Sequence, residues 1–507
     1  MSAATSPART AGRLNLDALR DLPPENRPRI DPRGLGIGIV HLGIGAFHRA
    51  HQAVYTEEAI AQAGGDWGIC GVTQRSRDVV DVLSPQDGLY SVAVRGDGPE
   101  RLRVVGSVRE VRWALEDPDG LLSLIAEEST ALISLTVSEK GYRIDPATNR
   151  LRLDDPDVAA DLEHGTSRTV IGQLAQGLER RRRAGGAPIT VLCCDNLPNN
   201  GRVVAGLVSD FVEHLSGSEA LREWIESAVR FPSTMVDRIV PATTAEDRDD
   251  AARVLGVRDR GLVVTEPFSQ WVIEDDFAGP RPAWELAGAE MTDDVAPYER
   301  IKLRMLNGSH SMLAYLGQLA DYELVSDAVR SDGLRAAVAG LMAVDVPPTL
   351  ELPTGFDLDA YKRDLMRRYA NPALRHRTQQ ITMDGSQKLP QRLLGTIRDR
   401  RRVGASPTLA SLGVAAWMRF VSARRSDSGR ALVVDDPLAD VFAARLAGRE
   451  KPAEVVDELL SLREVFAEDL ASDRGLRDLL VELLTRLRLD GAERTAGTVA
   501  LESAGAA

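Results

Sequence analysis

The sequence predicts two bodies, an α/β domain built on a doubly wound parallel sheet and, after it, a mainly α-helical domain. Two observations carry this expectation. From about Gly36 to Thr265, short β-branched runs alternate with helical segments, and after roughly Pro282 the strands vanish. Near-continuous apolar strands separated by helices are what a parallel sheet covered on both faces produces.

Taken in order, the strands are "GIGIVHLG", "WGICGVT", "ALISLTV", "PITVLCCDN" and "GLVVTEPF", each bounded by turn residues. The Gly- and Pro-punctuated stretch "DDFAGPRPAWEL" marks a boundary. It places the α/β domain at 36–285 and the helical domain at 286–494. Runs such as "RAAVAGLMAVDV", "VVDELLSLREVFAEDLA" and "LRDLLVELLTRLRL" supply long helices to the second body. Residues 1–35, rich in Pro and Arg, read as an N-terminal arm, and the Ala/Gly/Ser-rich residues 495–507 as a flexible tail.

Composition narrows the function classes. At 507 residues and 43% apolar, the chain is long enough for two or three packed cores. No window approaches the roughly 18 unbroken apolar residues of a membrane span, and the N-terminus lacks the apolar core of a secretory signal. A cytoplasmic protein is expected. The three cysteines, Cys70, Cys193 and Cys194, include an adjacent pair that cannot easily close a bridge, so no disulfide framework is expected. A net charge of −13 disfavours nucleic acid as a partner while leaving room for a local pocket that binds a small anion. The basic run "ERRRRAGG" from Glu179 reads as a solvated helix end before a Gly-Gly stop.

"GIGIVHLGIGAFHRAHQAVYTEEAI" is a strand, a glycine turn and a helix. Gly43 and Gly45 occupy the first two places of a G-x-G-x-x-G turn, where small residues allow the bend and let a pyrophosphate approach the helix N-terminus. Gly43, Ile44, Gly45, Ala46 and Phe47 form this Rossmann-type turn, His48 stands at the third glycine's place, and Arg49 adds a positive charge near the phosphates. His48 and His51 have a metal-ligand spacing, but no third ligand accompanies them, and no metal is expected. After the second strand, Arg75 and Arg77 precede Asp78, which leaves NAD and NADP both open.

The stretch "KLRMLNGSHSMLAYLG" puts Lys302, Asn307 and His310 into an otherwise apolar helical run. On an ideal α-helix, at about 100° per residue, the three project within an arc of roughly 140°, with Glu299 one turn upstream on the same face. Desolvation disfavours the charged lysine and makes it a usable general base, whereas a snorkelling lysine is the structural alternative. Asn307 can donate to a developing oxyanion and His310 can orient a hydroxyl.

The motifs "GIGAFHRAHQA", "SLTVSEKGY", "CDNLPNNG", "FPSTMVDRIVPATT", "TEPFSQWVIED", "KLRMLNGSH" and "DGSQKLPQR", in this order, closely resemble the polyol-specific long-chain dehydrogenase/reductase family, the mannitol dehydrogenase family. The resemblance runs from about Gly36 into the C-terminal helices. It implies a Rossmann-type domain joined to a helical substrate domain, and metal-independent hydride transfer with a nicotinamide cofactor, NAD with NADP not excluded. By motif position, Lys302 resembles the acid/base lysine, and Asn307 with Asn196, chosen over Asn200, the pair holding the reacting oxygen. His310 resembles the substrate-orienting histidine, Glu299 the proton relay, Lys388 a substrate-binding lysine and Asp237 an acidic residue near the cofactor.

In "NPALRHRTQQITMDGSQKLPQR" the Asp and Arg of the mannitol-oxidising members give way to His376 and Gln380. The wording resembles the fructuronate-reducing branch, which implies exchange between D-fructuronate and D-mannonate. A guanidinium of Arg375 or Arg377, with Lys388, is suited to a uronate carboxylate. A polyol such as mannitol, arabinitol or sorbitol is the alternative substrate, and a catalytically silent nucleotide-binding protein the alternative of another class. The oligomeric state is open.

Overall fold

The computed structural model describes residues 12–96, 98–145 and 148–505. The chain divides into two compact units, Met1–Ala296 and Pro297–Ala507.

The first unit is organised by a parallel sheet in the order β5-β2-β1-β6-β7-β8. Its strands are β1 (Ile37–Leu42), β2 (Gly68–Thr73), β5 (Val108–Trp113), β6 (Leu132–Leu135), β7 (Ile189–Cys193) and β8 (Val229–Arg230). Side chains alternate between two apolar layers: Val40 and Leu42 enter one, and Ile39, between β1 neighbours of the opposite face, enters the other. Both faces are therefore covered, which is why these strands read as unbroken apolar runs. Chain order reverses between β1 and β6, and the C-terminal ends of those two strands form the topological switch point.

Two small sheets complete the unit. β3 (Tyr90–Val94), β4 (Arg101–Val105) and β10 (Val263–Thr265) form one, and β9 (Thr234–Asp237), β11 (Gln270–Glu274) and β12 (Glu290–Thr292) the other. β12 pairs with β11, so the chain stays with the first unit past the expected boundary at 285, and the division falls at Ala296. In the N-terminal arm, Leu14, Leu19 and Leu22 are buried with Leu102 and Val104 of β4, which ties the stretch down through an apolar contact.

The basic run is only partly a solvated helix end. It closes the helix Val170–Arg183, where Arg180, Arg182 and Arg183 pair with Asp119 or Glu179. Arg181 is instead buried, and its guanidinium donates to the carbonyls of Ala187, Ile125, Glu127 and Thr130 at 2.7–3.0 Å. It pins the connection into β6. Cys70, Cys193 and Cys194 are buried free thiols.

The second unit is helical around one large core. The expected flexible tail is corrected here: Ala492–Gly505 is a helix whose Ala492, Ala496 and Val499 are buried. It crosses the helix Asp332–Gly340 closely, because a Cβ on Gly333 would lie 2.4 Å from the Glu493 carbonyl oxygen. Small residues that looked like fraying chain are the ones this crossing needs. Among the described residues no helix is long and apolar enough to cross a membrane.

Arg181→Ala removes the guanidinium donor from the buried carbonyls of Ile125 and Thr130. Urea unfolding is expected to report a loss of about 3 kcal/mol.

Candidate active site

In the first unit, β1 ends at a turn whose shape is dictated by its neighbour. Gly43 has φ +104°, and a Cβ there would stand 2.1 Å from the carbonyl oxygen of Thr136, just past β6. No side chain fits. The N–H groups of Gly43 and Ile44 both donate to Val72, at 2.8 and 3.2 Å, and the Ile44 side chain is buried against Gly71. Gly45 differs, since a Cβ on it would meet only the Gly43 carbonyl oxygen at 3.8 Å. Nothing inside the protein requires a glycine there. The empty position opens the first turn of α1 (Ala46–Ala50), where Gly45 and Ala46 are exposed, Phe47 is half-buried, and the leading N–H groups of a helix point outward. Such an opening fits a pyrophosphate.

His48, in the third glycine's place, stacks on His41 of β1 with centroids 3.4 Å apart and planes 15° from parallel. Flat neutral rings thus provide the close helix–strand contact that glycine commonly provides. Burial holds His41 down at about 3 against a hydrogen bond to the Gly43 backbone that acts the other way, and it holds His48 well below the usual range, with the charges of His41 and Arg49 as lesser influences. His41 contacts Ser134 Oγ through Nδ1 and Thr136 Oγ1 through Nε2, both at 2.8 Å. Because Thr136 Oγ1 donates its own proton to the Gly43 carbonyl, the neutral His41 ring carries its proton on Nε2.

Arg49 is half-buried, and its guanidinium donates to the Gly261 carbonyl and to the carbonyl of Gly45 at the helix entrance, 5.5 Å from the Tyr90 ring centre. Beyond α1, α2 (Gln52–Ala63) follows a kink at His51, whose Nε2 meets the Gln270 carbonyl at 2.9 Å. Asp237 is buried at the end of β9, and its neighbour Arg238 donates to the Ala50 and Glu266 carbonyls. After β2, Arg77 pairs with Asp81 and Glu116 while Arg75 is exposed.

The two asparagines of "CDNLPNNG" separate cleanly. Asn200 is buried, with Nδ2 donating to the Asp195 and Thr234 carbonyls and Oδ1 accepting from Thr234 N–H, all at 2.9–3.0 Å. It holds β9 in place. Asn196 is exposed on the loop after β7.

In the second unit, Lys302, Asn307 and His310 are all buried. The α-helical spacing expected for them is corrected: Lys302–Asn307 is a π-helix, and the Gly308 N–H donates to Leu303, five residues back. An i→i+5 winding stacks residues five apart, so Lys302 and Asn307 share a face on which an ideal α-helix would have splayed them. Glu299, half-buried, lies on the short helix Ala296–Ile301 just before. Polar groups steady the wider turn: Tyr369 Oη donates to the Leu306 carbonyl at 2.8 Å, and Ser309 Oγ reaches the Met305 and Leu306 carbonyls. A second π-helix, Pro390–Leu394, packs against the first, and a Cβ on Gly308 would stand 2.7 Å from the Arg392 carbonyl oxygen.

His310 opens the helix Gly308–Leu319, stacked on Tyr369 at 5.0 Å and edge-on to His376 at 5.1 Å. Its Nε2 is buried with no hydrogen-bond partner. Burial drives its pKa well below the ordinary value, and His376, Arg392, Arg368 and Lys388 push it the same way. The ring is neutral within a positively charged setting. Arg392 donates to Ser311 Oγ at 2.9 Å, and Arg368 is buried. Arg375 and Arg377 are exposed on either side of the half-buried His376. The segment also contains the short helices Thr378–Thr382 and Gly385–Leu389.

Sequence reasoning did not single out Arg368, Tyr369 or Arg392. Arg392 had a signal, since it closes "DGSQKLPQR" four residues after Lys388. Among the described residues, no group of three or more His, Cys, Asp or Glu side chains is placed to hold a metal ion.

A glycine-turn parallel-sheet unit followed by a helical unit with a buried Lys-Asn-His set defines a class, and comparison with known proteins agrees. The mannitol dehydrogenase Rossmann domain matches residues 37–286 and the mannitol dehydrogenase C-terminal domain residues 294–487. The chain belongs to the mannitol dehydrogenase family of oxidoreductases. It is 44% identical over 452 residues to D-mannonate oxidoreductase of Escherichia coli (strain K12), covering 88% of this chain and 92% of the relative. Uncharacterized oxidoreductase YeiQ of the same organism is 46% identical over 446 residues, covering 87% and 90%. The structure of Pseudomonas fluorescens mannitol 2-dehydrogenase, a ternary complex with NAD and D-mannitol, superposes with a TM-score of 0.88 at 35% identity, covering 96% of this chain and 99% of that one.

The two glycines of the turn are expected to behave differently on substitution. Gly43→Ala should cost more than about 3 kcal/mol in chemical denaturation, whereas Gly45→Ala should cost at most about 1 kcal/mol.

Proposed function

We propose that this protein interconverts D-fructuronate and D-mannonate by NAD-dependent, metal-independent hydride transfer. The observation that carries the uronate assignment is the positive charge gathered at His310 by Lys388, Arg392 and Arg368. A carboxylate gains most from such a setting, through charge-assisted hydrogen bonds that a neutral polyol cannot match. The D-mannonate oxidoreductase relative supports the same reading.

The open first turn of α1 fits the dinucleotide, with Gly43 to Phe47 cradling the pyrophosphate and Asp237 contributing near the cofactor. When bound, the nicotinamide supplies or accepts the hydride. In reduction, protonated Lys302 gives its proton to the forming alkoxide oxygen, and the amide of Asn307 donates to that oxygen as charge grows on it. In oxidation, neutral Lys302 removes the alcohol proton, and Glu299 passes it towards solvent. Neutral His310 offers Nε2 to a substrate hydroxyl, which satisfies an atom otherwise buried without a partner. Lys388, with Arg392 and with Arg375 or Arg377, takes the carboxylate. A cytoplasmic setting suits three buried, unbridged thiols.

Polyol oxidation is the second reading, favoured by the likeness to the mannitol-bound neighbour over nearly the whole chain. Assays in both directions with mannonate, fructuronate, mannitol and fructose separate the two. The uronate pair should be favoured by about 100-fold in kcat/KM, and equal or faster turnover of mannitol reverses the assignment. Lys302→Ala should lower turnover by about 10³-fold with NADH affinity kept, and unchanged turnover would remove the lysine from the chemistry. Lys388→Met should cost about tenfold or more in kcat/KM for fructuronate and much less for fructose. Equal losses on both would tell against carboxylate binding.

A further inference from the structure

Outside the proposed catalytic set, the loop that follows β6 holds an unusual backbone. Ser138 has φ +70° and ψ 159°, a region that only glycine occupies without strain, and such residues persist where the surroundings over-determine them. Here the surroundings are one carboxylate. Asp195, two residues past β7, accepts from the Val137 N–H at 2.8 Å and the Ser138 N–H at 3.0 Å. It also accepts from the Tyr142 hydroxyl at 2.6 Å, which lies 3.1 Å from Cys193 Sγ. Three donors from one turn thus converge on a single side chain. Burial pushes the Asp195 carboxyl up to about 6 even though all three donors act the other way, so the ion is kept at a cost that only its contacts offset.

The location gives the arrangement a purpose. Thr136 and Val137 are the residues a Cβ on Gly43 would strike, at 2.1 and 3.0 Å. The strained turn therefore borders the glycine turn at the switch point, the place where open α/β sheets bind their ligands. The Asp195 backbone is fixed as well, since its carbonyl accepts from Asn200 Nδ2 at 3.0 Å. We propose that Asp195 is a positioning residue: it holds Val137 and Ser138 in the strained conformation that shapes the wall of the dinucleotide crevice beside Gly43. The inference rests on the dinucleotide reading above.

The test is NADH affinity of the full-length protein, followed by fluorescence titration. Asp195→Asn presents an amide where two backbone donors need acceptors, so the turn relaxes and affinity should fall by about tenfold. Adding Ser138→Gly to that variant should restore most of the loss, because glycine adopts the same conformation unaided. A role in general stability alone would not be rescued in this way. Ser138→Gly by itself should raise the thermal midpoint, which keeps the strain argument testable if Asp195→Asn does not fold. An Asp195→Asn protein that binds NADH like the unaltered chain, a double variant that is not rescued, or a lowered midpoint in Ser138→Gly overturns the inference alone. Failure of the unaltered chain to bind NADH overturns the dinucleotide reading and this inference with it.

Discussion

The close passage of two strand ends governs the first unit. Gly43 and Thr136 approach so nearly that the chain can turn there only with a residue lacking Cβ, and everything at that end of the sheet is arranged around the contact. The Thr136 hydroxyl bonds back to the Gly43 carbonyl, His41 braces Thr136, and His48 lies flat on His41. The departure from a third glycine is therefore a substitution of one tight contact by another. Gly45, with space around it, is the glycine whose emptiness serves the outside of the molecule rather than the inside.

The second unit solves a different problem, that of keeping a lysine and an asparagine side by side within an apolar helix. An α-helix places neighbours three and four apart on one face and cannot do the same for residues five apart. Widening one turn does so, but it disturbs the regular carbonyl partners. Ser309 and Tyr369 take up those carbonyls, and Gly308 lets a second widened turn approach. The "NGS" between Asn307 and His310 is thus as much scaffold as the apolar residues around it.

Much of this was legible in the sequence. The four central strands of the large sheet were readable because burial on both faces makes them continuous apolar runs, whereas β4 and β5, "RLRVV" and "VREVRW", carry charges that break the pattern. "GLVVTEPF" was recognised as a strand, yet β10 belongs to a small side sheet, an assignment that local pattern does not contain. The Lys302, Asn307 and His310 set was visible as polarity inside an apolar run, but its geometry was not, because a π-turn leaves no periodicity of its own over six residues. Arg49 drew notice for its charge. Its direction, which depends on the carbonyls and rings that surround the side chain, had to come from the fold.

The imidazoles at the heart of both units have a consequence for acid tolerance. His41 and His48 in the first unit, and His310 and His376 in the second, all have protonation suppressed on folding, chiefly by burial. An unfolded chain takes up protons on these rings below about 6.5, while the native protein refuses them until far lower, near 3 for His41 and near 4 for His376. Their contribution is whole above that upper bound and drains away as the medium acidifies, by about 1.4 kcal/mol per ring for each pH unit. Mild acid thus draws on both halves of the molecule together, and neutral surroundings are part of what the native state requires.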